Sequence, residues 1–166
     1  MKKLFLGVIV GGLLGVGAGF VAGLFFFPII FPGPVAMEQV ANAESKTAVA
    51  RGTFVHADPN DPIHWGKGAV TILRDRSGEQ FVRLEMDFEV GPGPAFHVYL
   101  VDQADIRSKR DFLTASTIDL GGLRAFRGSQ NYAVPEGIDV ASAKSVVIWC
   151  KEFGVLISPA TLLQTS

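Results

Sequence analysis

The sequence predicts an all-β domain, an antiparallel β-sandwich or barrel of about eight strands, preceded by one N-terminal transmembrane helix. Three observations carry that expectation. Leu4–Phe27 runs for 24 residues without a charge or a proline, residues 80–88 alternate apolar with polar side chains, and further short apolar runs are bounded by glycine, proline and serine.

As a helix, the N-terminal run is about 36 Å long against a hydrocarbon core of roughly 30 Å, so it spans with some tilt. Lys2 and Lys3 precede it, and the next basic residue is Lys46, beyond Glu38 and Glu44. That bias places the N-terminus in the cytoplasm and the rest of the chain outside it, a single pass through the cell membrane. A cleaved signal peptide is the competing reading, because Ala41-Asn42-Ala43 has the small-residue form of a cleavage site. The apolar run exceeds a signal core, and Pro28, Pro32 and Pro34 stand before that site, which favours a retained signal anchor. No cysteine lies near the segment to carry a lipid.

Gly7, Gly11, Gly15, Gly19 and Gly23 recur every fourth residue. On a helix they leave one face open to another backbone, so they are candidate helix-association residues, for self-association or for a membrane redox partner; the plain alternative is that membrane helices are rich in glycine. The expected organisation is an anchor over 1–31, a proline-bearing stalk over 32–50 and a β domain over 51–166.

Within the domain, Val82, Leu84, Met86 and Phe88 alternate with Arg83, Glu85 and Asp87, which predicts one half-buried strand over 80–88. Strands are likewise expected over 69–73, 96–101, 145–150 and 153–157, with shorter ones at 53–55, 118–120 and 132–134. Only 103–113 holds a helical turn, and its Arg107, Lys109 and Arg110 read as a solvated face.

Removing Lys2 and Lys3 leaves 13 basic against 16 acidic residues, a balance that argues against nucleic acid as a partner. Motifs for a serine hydrolase, a phosphate-binding loop, a zinc protease, a dithiol or a covalent haem are absent, so no stand-alone enzyme is indicated. The one cysteine, Cys150, forms no intrachain disulfide and shares a strand face with Val146 and Ile148. It is either a small core residue or a redox thiol or ligand. His97 shares a face with Tyr99. His56, Asp58, Asp61 and His64 fall in one proline-rich turn whose spacing matches no standard metal set, and no metal is assigned to them. The aromatic residues read as core.

Several stretches, taken in order, resemble one family: Gly52-Thr53-Phe54, His64 ahead of Gly66 and Gly68, Gly93-Pro94 leading into His97-Val98-Tyr99-Leu100, Leu120-Gly121-Gly122-Leu123, Gly128-Ser129-Gln130-Asn131-Tyr132, and Trp149-Cys150-Lys151-Glu152-Phe153. The sequence over roughly 51–163 is similar to the DM-thirteen, or electron-transfer DM, domain. The resemblance implies an extracytoplasmic β module with a redox role at the cysteine that Cys150 matches, as a thiol or as a ligand of a group such as haem. Cys150, His97 and His64 are then the redox or cofactor-binding candidates. Two readings compete with it: a structural or protein-interaction module with Cys150 as core, and a thiol hydrolase pairing Cys150 with His97 or His64.

Overall fold

The computed structural model describes residues 2–31 and 33–165. Met1, Pro32 and Ser166, which fall within the expected anchor, stalk and domain, lie outside the described residues. The chain divides into two units, Met1–Gly33 and Pro34–Ser166.

The first unit is one helix, α1 (Lys2–Ile30). Val8, Leu13, Leu14, Val16 and Phe20 stand exposed along it. The five glycines in i,i+4 register have open space where a Cβ would sit. Among the described residues no helix is long and apolar enough to cross a membrane. The structure therefore gives a helix at this place and does not itself give a span.

The second unit is mostly β. Its elements are β1 (Ala36–Met37), β2 (Thr47–Thr53), β3 (Gly66–Lys67), β4 (Ala69–Arg74), β5 (Gln80–Leu84), β6 (Glu89–Val90), β7 (Phe96–Val101), α2 (Lys109–Thr114), β8 (Thr117–Gly122), β9 (Gly128–Ala133), β10 (Ser145–Cys150) and β11 (Val155–Gln164). Nine strands form one sheet in the order β1-β9-β5-β4-β2-β11-β10-β7-β8, and β3 pairs with β6 apart from it. All ladders are antiparallel except β1 with β9.

Of the sandwich or barrel expected, the structure gives the partly closed form, a single curled sheet or half-barrel, and the chain itself requires the curl. From β9 to β8 there are seven strand spacings, about 34 Å if the sheet lay flat. Gly122 and Gly128 are joined by six Cα steps, which reach at most about 23 Å. The sheet must bend until β8 approaches β9. Gln130, fully buried, holds the bend: its side-chain oxygen accepts from the Arg124 and Ala125 N–H groups, and its amide donates to the Ala125 carbonyl.

The single strand expected over 80–88 breaks after Leu84. The Phe88 N–H donates to the Glu85 carbonyl, a tight turn that leaves Met86 exposed and returns Phe88 to the core. Conversely, β11 runs on past Pro159, where a proline ordinarily ends a strand. The Pro159 carbonyl faces away from β10 and accepts from the Val55 N–H at 3.0 Å. The missing N–H of Pro159 faces the same side, so the β10 ladder loses nothing.

Within 32–50, read from sequence as a stalk, β1 pairs with β9 and Thr47–Ala50 opens β2. Glu38 accepts two hydrogen bonds from Arg124, at 2.7 and 2.9 Å, and one from the Asn131 N–H at 2.8 Å, so the segment is fastened to the sheet.

The concave side of the sheet holds the main core, with Ile72, Val82, Leu84, Val98, Leu100, Ile148 and Ile157 almost fully buried. On the other side of β7 and β10 a second cluster forms from Tyr99, Val101, Ile106, Phe112, Val147, Trp149 and Leu156. α2 supplies Phe112 to it and begins at a capping box in which Ser108 and Asp111 exchange hydrogen bonds with each other's backbone N–H. Every residue of β10 is consequently buried.

Candidate functional site

Cys150 and His97, on the neighbouring strands β10 and β7, fall on opposite faces of the sheet. β7 and β10 are antiparallel, with Cys150 opposite Phe96 and Trp149 opposite His97. Directly paired residues share a face, so Cys150 points into the main core and His97 points away from it. Cys150 is 2% exposed, and its thiol donates to the Pro94 carbonyl at 3.2 Å. A working thiol needs exposure and a neighbouring cation or histidine. Cys150 has neither in its hydrogen bonding, and its environment is that of a small core residue.

The outer face carries a polar cluster around Asp119 on β8. Asp119 accepts from His97 Nδ1 at 2.8 and 3.0 Å, from the Tyr99 hydroxyl at 3.1 Å, from Lys151 Nζ at 3.1 Å and from the Gly121 N–H at 2.9 Å. A carboxylate only accepts, which assigns Nδ1 as the protonated nitrogen of His97. Burial pushes the Asp119 carboxyl up, but hydrogen bonds from His97, the Gly121 N–H, Lys151 and Tyr99 outweigh it and hold the group at about 2. Burial of Tyr99, together with its hydrogen bond to that carboxylate and the charge on it, pushes the phenol up to about 12.

This geometry depends on a β-bulge. The β7–β8 register shifts between Val98 and Tyr99, so that Val98 opposes Gly121 and Tyr99 opposes Asp119. Gly121 sits at φ +113°, a conformation that a side chain strains even though the space beside it is open. The bulge turns Asp119 toward both His97 and Tyr99. Behind Tyr99 lies an aromatic column: its ring meets Phe112 edge-on at 5.2 Å, and Phe112 stacks on Trp149 at 4.1 Å and 15°.

His64 is placed in neither cluster. Its Nδ1 bonds Asp61 at 2.6 Å in the turn before β3, while His56 Nε2 meets the Asp61 carbonyl at 2.6 Å. The Asp61 carboxyl, held chiefly by the His64 side chain and two backbone N–H groups, sits at about 2. His64 and Asp61 line an open cleft of about 280 Å³ together with Lys109, Phe153 and Leu156. A broader cleft of about 760 Å³ crosses β4, β2 and β11 on residues that include Arg51, Thr71 and Thr161. Among the described residues no group of three or more His, Cys, Asp or Glu side chains is arranged to hold a metal ion. The glycines at 7, 11, 15, 19 and 23 lie on α1, in the other unit.

These positions bear on the two chemistries raised from sequence. The thiol-hydrolase pairing needs an imidazole within hydrogen-bond reach of the thiol. Nδ1 of each of the two candidate histidines, His97 and His64, meets a carboxylate, and the thiol meets a carbonyl. A haem ligand at Cys150 would need an outward-facing sulfur with open space over it. The sulfur here is enclosed, with Phe96 and Val155 as its cross-strand neighbours, so the residues present do not fit that group. Asp119, Lys151 and Phe112 were not among the sequence candidates. Alternation does place His97 and Tyr99 on one face, but the strand that brings a carboxylate to them is fixed by pairing, which no local spacing encodes.

No curated protein and no solved structure matches the chain. The family model described as electron transfer DM13 matches residues 59–162, most of the β unit and more than half of the chain, and the chain belongs to that family.

Proposed function

We propose that this chain is a membrane-tethered, extracytoplasmic electron-transfer module that exchanges electrons with a separate partner, and that Cys150 serves it as core rather than as thiol or ligand. The family match over 59–162 carries the electron-transfer reading. The enclosed sulfur, donating to the Pro94 carbonyl, supports the reading of Cys150. The tether rests on the uncharged run Leu4–Phe27 and on exposed apolar side chains along α1, which water leaves uncovered and lipid covers. The glycine register on α1 then offers a face for a second copy or a partner helix.

Mediated coulometry on the purified full chain tests the electron-transfer reading. The chain should give up and regain one electron reversibly, and Cys150→Ala should leave that count unchanged. A count of zero would overturn the reading in favour of a structural or interaction module. Loss confined to Cys150→Ala would return the chemistry to the thiol. The tether is tested separately by alkaline carbonate extraction of membranes from producing cells: the chain should stay in the pellet, and release to the supernatant would remove the anchor.

A further inference from the structure

We propose that Tyr99 is the one-electron redox site of this module, oxidised to a neutral tyrosyl radical as its phenolic proton passes to the Asp119 carboxylate. The inference rests on the electron-transfer reading above and names the side chain on which the electron resides. Taking an electron from a phenol makes its O–H strongly acidic, so the oxidation proceeds readily only where a base already accepts that hydrogen. Tyr99 has such a base, Asp119 Oδ2 at 3.1 Å.

One electron leaves the phenol for a metal-centred one-electron oxidant on the partner, the O–H bond breaks, and the proton forms a carboxylic acid at Asp119. Return of the electron draws the proton back. His97, Lys151 and the Gly121 N–H fix the carboxylate in place through the change, which makes them positioning residues. Tyr99 itself is 8% exposed, shielding a radical from solvent, while Asp119 and His97 open onto the surface where a partner would approach.

The chain holds two tyrosines, and the other provides a comparison within the same molecule. Tyr132 is 2% exposed, and its hydroxyl donates to the neutral Gln130 side-chain oxygen at 2.9 Å. The Arg124 guanidinium lies over its ring at 4.3 Å. An amide is no base for the phenolic proton, and a cation over the ring opposes loss of an electron from it. Tyr99 has a carboxylate where Tyr132 has an amide. It also adjoins Trp149 through Phe112, which puts a second oxidisable ring on the same column.

The test is freeze-quench electron paramagnetic resonance of the purified full chain oxidised by flash-generated tris(bipyridine)ruthenium(III). The wild type and Tyr132→Phe should give a neutral tyrosyl signal, and Tyr99→Phe should lack it. Asp119→Asn, which keeps an acceptor but no base, should lower the yield by roughly a hundredfold, and Asp119→Glu should recover part of it. Circular dichroism confirms that each variant is folded. A signal that survives in Tyr99→Phe, disappears in Tyr132→Phe or is undiminished in Asp119→Asn would overturn the assignment. A one-electron coulometric count without a Tyr99 signal would overturn this inference alone, whereas zero in both would remove the electron-transfer reading as well.

Discussion

Asp119 gathers donors from β7, from its own bulge and from the residue that follows β10, and this convergence makes it the electrostatic centre of the outer face. Its folded-state pKa of about 2 lies below the value of about 3.9 for an unfolded aspartate. The carboxylate's contribution to stability is therefore complete above about pH 4 and is lost as pH falls through about 2. Urea unfolding between those limits should show stability falling with pH, and Asp119→Asn should flatten that part of the profile. An unaltered slope in the variant would mean that the bonds to His97, Tyr99 and Lys151 do not form in solution. At this scale the sequence is only half informative. The shared face of His97 and Tyr99 follows from alternation, whereas their acid comes from a strand about twenty residues away, through a bulge that has no local signature beyond the Gly121-Gly122 pair.

Among the elements, β7 and β10 match the strands expected over 96–101 and 145–150, and β4 extends the one at 69–73 by a residue. β7 and β10 are apolar runs buried on both faces or nearly so, and β4 is buried through its middle, so hydrophobicity and β-branching point the same way. Where the structure departs from the local pattern, the cause is of another kind. Alternation persists through Met86 and predicts a strand as far as Phe88, yet the Glu85–Phe88 turn uses the same periodicity to swing Phe88 inward. β11 outlasts Pro159 because the proline faces the side away from β10. β1 is invisible in sequence, since two residues carry no period; its place is held by the Glu38–Arg124 pair and by the Ser129 hydroxyl donating to the Glu38 carbonyl at 2.9 Å. Partnership across long stretches of chain decides each of these cases, and single-segment patterns do not contain it.

Over the whole molecule, a β-rich and mostly antiparallel unit follows from composition and turn spacing, but the about eight strands expected become eleven among the described residues, and closure is not encoded locally. A sandwich and a curled sheet bury the same alternating faces. The choice falls to the short 123–127 link and to Gln130, whose buried amide fixes that link to β9. The resulting half-barrel gives β7 and β10 two different sides. The inner one is a dry core that contains Cys150, and the outer one joins a carboxylate cluster to an aromatic column. That division decides which residues can carry chemistry. Maleimide labelling of the native full chain, followed by mass spectrometry, reads it at the one thiol. Cys150 should remain unlabelled until denaturant unfolds the β unit, and should then react fully. Labelling of the folded chain at the rate of a free solvent-exposed thiol would contradict the placement of Cys150 in the core and bring the chemistry back to the inner side of β10.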